Sequence, residues 1–141
     1  MNDFIKLKDE QDYLDFKART NDLHDGYIIS ADYRHPMIEE DDERITLSMP
    51  DLTLKILVAS IKGHPIVELK FSGVMDMRLA GSFSDIVCFS MKWDTVKPPR
   101  YPNPYVQWTN EFEFDWENYS METNRDTTYV IAVTAEWRFA E

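Results

Sequence analysis

Tyr129-Val130-Ile131-Ala132-Val133-Thr134-Ala135-Glu136-Trp137-Arg138-Phe139 is the stretch that decides the fold. Tyr129, Ile131, Val133, Ala135, Trp137 and Phe139 fall on one side of an extended chain, and Val130, Ala132, Thr134, Glu136 and Arg138 on the other. Period two with β-branched and aromatic residues predicts a strand, and Trp137 with Phe139 makes it a core strand rather than a tail.

The same period recurs upstream. Tyr27, Ile29, Ala31 and Tyr33 alternate with Ile28, Ser30 and Asp32; then come Ile45, Leu47 and Met49, followed by Leu52, Leu54, Ile56 and Val58. Lys62-Gly63-His64-Pro65 suits a hairpin turn. Beyond it, Val67, Leu69 and Phe71 face inward against Glu68, Lys70 and Ser72. Ser84 to Trp93 reads as a further strand with Val87, Phe89, Met91 and Trp93 on one face. One helix is predicted, from Asp9 to Thr20: Asp9 caps it, Glu10 and Asp12 suit its positive end, and Lys17 and Arg19 its negative end. About seven strands and one N-terminal helix give a mainly β (α+β) antiparallel fold, either a sandwich or a half-barrel curled around the helix, as a single domain over residues 1–141.

The chain carries 26 acids against 15 bases, a formal net charge of −11. That field disfavours nucleic acid and anionic membranes and speeds encounter with basic partners. The N-terminal residues contain no apolar core for a signal peptide, and no 18-residue apolar run is present, so a cytoplasmic location is expected. Cys88, the one cysteine, lies in the apolar run 86–89 and reads as a structural thiol.

Acid and aromatic residues alternate in Glu111-Phe112-Glu113-Phe114-Asp115-Trp116-Glu117. As a strand this would set Glu111, Glu113, Asp115 and Glu117 in a row on one face and the rings on the other, with carboxylates about 7 Å apart. Nearby Tyr101, Tyr105 and Trp108 supply candidate aromatic anchors for a partner. The acidic run Glu39 to Glu43 reads as a solvated turn. The segment 97–104 has four prolines and reads as a stiff exposed connection. His35 and His64 each precede a proline, which places them in extended turn positions. No HExxH or CxxC spacing and no calcium loop is present, so neither a metal nor a cofactor is expected. An open strand face offers no enclosed carboxylate pair, and no G-x-S-x-G occurs, so the chain reads as non-enzymatic.

Leu23-His24-Asp25 leading into the strand Tyr27 to Tyr33, with Leu69-Lys70-Phe71-Ser72-Gly73-Val74 further on, resembles a group of small acidic bacterial proteins. That group includes immunity-type proteins encoded beside polymorphic toxins. The resemblance implies a compact β-rich protein that neutralises a toxin, with His24 and Asp25 as a secondary site. Read from the residues alone, His24 and Asp25 turn the chain at Gly26. The leading expectation is a binding protein for a basic partner. Two alternatives are a small-molecule-binding or enzymatic β-barrel, and an acidic nucleic-acid mimic of phage or plasmid origin.

Overall fold

The computed structural model describes residues 3–35, 38–41, 44–47, 49–80, 86, 88–95, 104–111, 114–117 and 127–140. Helix α1 runs Glu10–Arg19, with the Asp9 carboxylate accepting the Asp12 amide as its cap. Only Phe16 of this helix is buried, with its ring 4.8 Å from Trp137 and 5.1 Å from Phe89, and the half-buried Tyr13 ring packs on Phe89 beside it at 5.5 Å.

Seven strands form one open antiparallel sheet: β1 (Ile5–Lys6), β2 (Gly26–Arg34), β5 (Asp51–Val58), β6 (Ile66–Arg78), β7 (Ser90–Trp93), β8 (Val106–Thr109) and β9 (Tyr129–Phe139). Their spatial order is β2-β5-β6-β9-β8-β7, and β1 also pairs with β9. Gly26 and Ile86 exchange backbone hydrogen bonds, so the segment before β7 is tied back to β2 and the sheet curls over α1. The mainly β architecture with one helix is as the sequence predicts.

The core lies on the helix side. Leu52, Leu54, Ile56 and Val58 of β5 and Val67, Leu69 and Phe71 of β6 are fully buried, in the phase the alternation predicts. Gly63 and His64 both take positive φ in the β5–β6 turn, so His64 is left-handed rather than extended. On the opposite face, β5, β6, β1 and the end of β9 form a lattice of charge. Lys55 stands across from Glu68 and Glu68 from Arg138, while Lys70 stands across from Glu136 and Glu136 from Lys6. Arg138 Nη2 reaches Glu68 Oε2 at 3.1 Å.

Four details depart from simple alternation. In β2 a bulge at Ile29 shifts the register, so Ile28 is buried opposite Ile56, while Tyr27, Ile29 and Tyr33 are exposed. The first three acids of the acidic run are strand rather than turn: Glu39, Glu40 and Asp41 belong to β3 (Ile38–Asp41), paired with β4 (Arg44–Leu47) in a separate two-stranded sheet, and Asp42 and Glu43 lie outside the described residues. Of the run expected from Ser84, the described residues form a strand at β7, and Ser84, Asp85 and Val87 lie outside the described residues. In β9 the phase slips: Ala135 and Trp137 face the main core, but so do Val130 and Ala132, and Val133 is exposed. Gly73 of β6 sits against the slip. Its φ is +69°, and a Cβ there would lie 2.8 Å from Val133 Cγ2, so the two strands change phase together at a position only glycine fills without strain.

Candidate functional site

Both faces of β8 are buried. Trp108 enters the main core, 6.1 Å from Phe71 and 6.4 Å from Phe89. Tyr105 belongs to a smaller cluster with Phe114, Trp116 and Ile131, flanked by Met75 and Tyr129. Tyr105 and Trp108 are 1% and 0% exposed, so they cannot serve as partner-facing anchors; the sheet uses both rings internally. Tyr101 and Glu113 lie outside the described residues.

The chain leaving β8 is held by polar side chains. Thr128 N donates to Asn110 Oδ1 at 3.0 Å, Thr109 Oγ1 donates to Thr128 O at 3.1 Å, and the Thr127 hydroxyl donates to the Glu111 carboxylate. Glu111 is therefore half-buried and tied to the start of β9. Residues 114–117 are not strand but coil running into a turn. Among the described residues Glu111, Asp115 and Glu117 do not share a strand face, because neither Glu111 nor 114–117 has a ladder partner. The turn is closed by a side chain instead: Asp115 Oδ1 accepts the Glu117 amide at 3.1 Å.

Alternation of burial nevertheless persists through this turn. Phe114 and Trp116 are buried, with centroids 4.4 Å apart and edge to face, and Tyr129 lies 5.7 Å from the first and 6.1 Å from the second. Asp115 and Glu117 are exposed between and beyond them. Two carboxylates are thus held outward on a turn anchored by two rings.

His24 and Asp25 sit in a tight turn before β2. Their side chains are half exposed, with His24 Nε2 3.8 Å from Asp25 Oδ2. Asn21, Asp22, Leu23 and Asp25 all have positive φ. Asn and Asp adopt that conformation readily, whereas Leu23 does so because its side chain is fully buried in the core. A Cβ on Gly26 would meet Leu23 O at 2.5 Å, so glycine is needed where the turn enters β2. These contacts match the turn-forming reading of His24-Asp25.

Burial raises the pKa of the Cys88 thiol, with a smaller push in the same direction from Asp22 and an opposing one from Lys17. Cys88 is half-buried rather than fully enclosed. Among the described residues no three His, Cys, Asp or Glu side chains converge as a metal site. No described helix is long and apolar enough to cross a membrane.

A second feature lies on the edge of β9. β8 pairs with β9 as far as Ala132, and β1 begins pairing at Glu136, with Leu7 N donating to Ala135 O at 2.9 Å. Between these two partners a groove of about 330 Å³ opens, with Lys6, Leu7 and Lys8 on one side, Trp93, Pro104 and Tyr105 on the other, and 133–136 as its floor. The sequence reading passed over this groove. Its one sequence signal is the alternation Ile5-Lys6-Leu7-Lys8, which puts two ammonium groups on the same side of the chain.

No protein-family model, curated protein or solved structure matches this chain.

Proposed function

We propose that this chain is a non-enzymatic, cytoplasmic binding protein that docks a basic protein through the acidic turn after β8, with neutralisation of a toxin as its role. One observation carries the reading: Asp115 and Glu117 are exposed while the residues that alternate with them, Phe114 and Trp116, are buried. Anchored rings limit the side-chain and loop entropy lost when the turn meets a partner. The net charge of −11 adds long-range attraction for a basic surface, which acts mainly on the association rate and fades with salt. A toxin that grips nucleic acid presents such a surface, because it must neutralise phosphates. The resemblance of 23–74 to immunity-type proteins supplies the biological setting.

The test is co-expression with the product of the gene adjoining its own, followed by size-exclusion chromatography and calorimetry at low and at physiological salt. A complex that the double substitution Asp115→Asn, Glu117→Gln weakens, and that salt weakens in the unsubstituted chain, supports the reading. A complex indifferent to both substitutions places the interface elsewhere, and a neighbouring gene that encodes a metabolic enzyme removes the toxin role.

A further inference from the structure

The groove on the edge of β9 has a chemical character opposite to that of the molecule. The chain as a whole is strongly acidic, yet the groove is bordered by Lys6 and Lys8 against a single acid, Glu136. Glu136 stands in register with Lys70 of β6 as well as with Lys6, so a base other than Lys6 also lies across from it. Among the described residues, neither Lys6 nor Lys8 forms an ion pair, whereas Lys17, Arg34 and Arg138 each have an acidic partner. The rest of its described lining is mostly apolar, with Trp93, Pro104 and Val133 the more exposed members and Thr134 the one uncharged polar side chain.

The groove also has a structural cause. β1 and β8 share one edge of β9 end to end without meeting, and the phase slip opposite Gly73 falls in the gap between them. Its floor is therefore set by strands paired elsewhere, and the pocket is pre-formed. A volume of about 330 Å³ is at the lower end of the range of ligand sites, which suits a compact ligand of one or two rings.

We propose that this groove binds a small aromatic carboxylic acid, its ring against Trp93 and Pro104 and its carboxylate between Lys6 and Lys8. Two lysines at alternate positions of an extended segment stand about 7 Å apart, close enough for both to reach one carboxylate. The apolar walls take the ring out of water and so strengthen the charge contact at the rim. This site is separate from the acidic turn and does not depend on it.

The probe is 1-naphthoate, with 1-naphthalenemethanol as its uncharged counterpart. Trp93 is half-buried while Trp108, Trp116 and Trp137 are buried, so ligand quenching of tryptophan emission reports chiefly on Trp93. Saturable quenching by naphthoate is expected. The double substitution Lys6→Gln, Lys8→Gln should weaken it at least about tenfold, the scale of a charge-assisted contact. Both lysines are exposed, so this variant should keep its melting temperature. Asp115→Asn with Glu117→Gln should leave naphthoate binding unchanged, so the outcome for the groove is read independently of the docking turn. Amide shifts on titration should concentrate at 6–8 and 133–136. Equal binding by the lysine variant, equal affinity for the alcohol, shifts centred elsewhere, or no saturable binding would each overturn the proposal.

Discussion

β9 and the segment 111–117 carry the same alternating pattern of apolar and polar residues, yet β9 is a strand paired along both edges, while the described residues 114–117 are coil and turn. β9 has β6 along one edge and both β8 and β1 along the other, so its backbone groups find ladder partners. The 114–117 segment buries its alternate rings equally well, but its backbone turns back on the Asp115 carboxylate. Alternation decides which side chains are buried. The presence of neighbouring strands decides whether the backbone becomes β. The difference has a functional side, since a paired strand has little polar surface to offer and an anchored turn presents whatever lies between its anchors.

The largest expected effect breaks the strand side of the comparison. Trp137 is 1% exposed and packs on Phe16, so Trp137→Ala should cost about 3–5 kcal/mol, and truncation after Glu136 should unfold the chain. Urea unfolding measures the first and loss of a cooperative melt the second. A truncated chain that melts like the full one would make the end of β9 peripheral.

Trp116→Ala sharpens the other side. Trp116 lies in the smaller cluster and is slightly more exposed than Trp137, so its loss should cost less than that of Trp137, about 2 kcal/mol, while the main core still melts cooperatively. Partner binding should fall as well, because Asp115 and Glu117 lose their anchor. If Trp116→Ala destabilises as much as Trp137→Ala, the turn is part of the core and not a platform on it.

A smaller effect probes the seat of the helix. The Tyr13 hydroxyl donates to Phe89 O at 3.2 Å, and burial raises its pKa, partly opposed by Lys17. The unfolded tyrosine ionises near its ordinary value of about 10, where the folded one is still protonated. Tyr13 stabilisation is therefore complete below that pH and is lost as pH rises through the raised folded value. Tyr13→Phe should cost about 1 kcal/mol at neutral pH and flatten the alkaline decline in stability. An unchanged alkaline slope would show that other groups set it.

Much of the fold was legible from residue types. Asp9 with Lys17 and Arg19 marked the ends of α1, and Leu52 to Val58 and Val67 to Phe71 showed which face of the sheet is core. The bulge at Ile29, the phase slip at Val133 and the turn at 114–117 were not legible, because each depends on what lies opposite in space. Tyr105 and Trp108 illustrate the same limit. As aromatic residues beside a proline-rich segment they looked like surface anchors, but β8 is covered on both faces, which no local pattern records. The groove escaped for a related reason: its lining comes from four segments distant in sequence, 6–8, 93, 104–105 and 133–136.

The central claim is that the negative charges of the anchored turn serve the proposed binding of a basic partner and not the fold, since Asn at 115 keeps an oxygen that can accept the Glu117 amide. It is tested most directly by replacing Asp115 with Asn and Glu117 with Gln, then measuring the melting temperature and the affinity for the basic partner at two salt concentrations. Both side chains are exposed, so stability should stay within about 0.5 kcal/mol, while affinity should fall and lose much of its salt dependence. A variant that unfolds, or one that binds its partner as tightly as the original chain at low salt, would contradict the account.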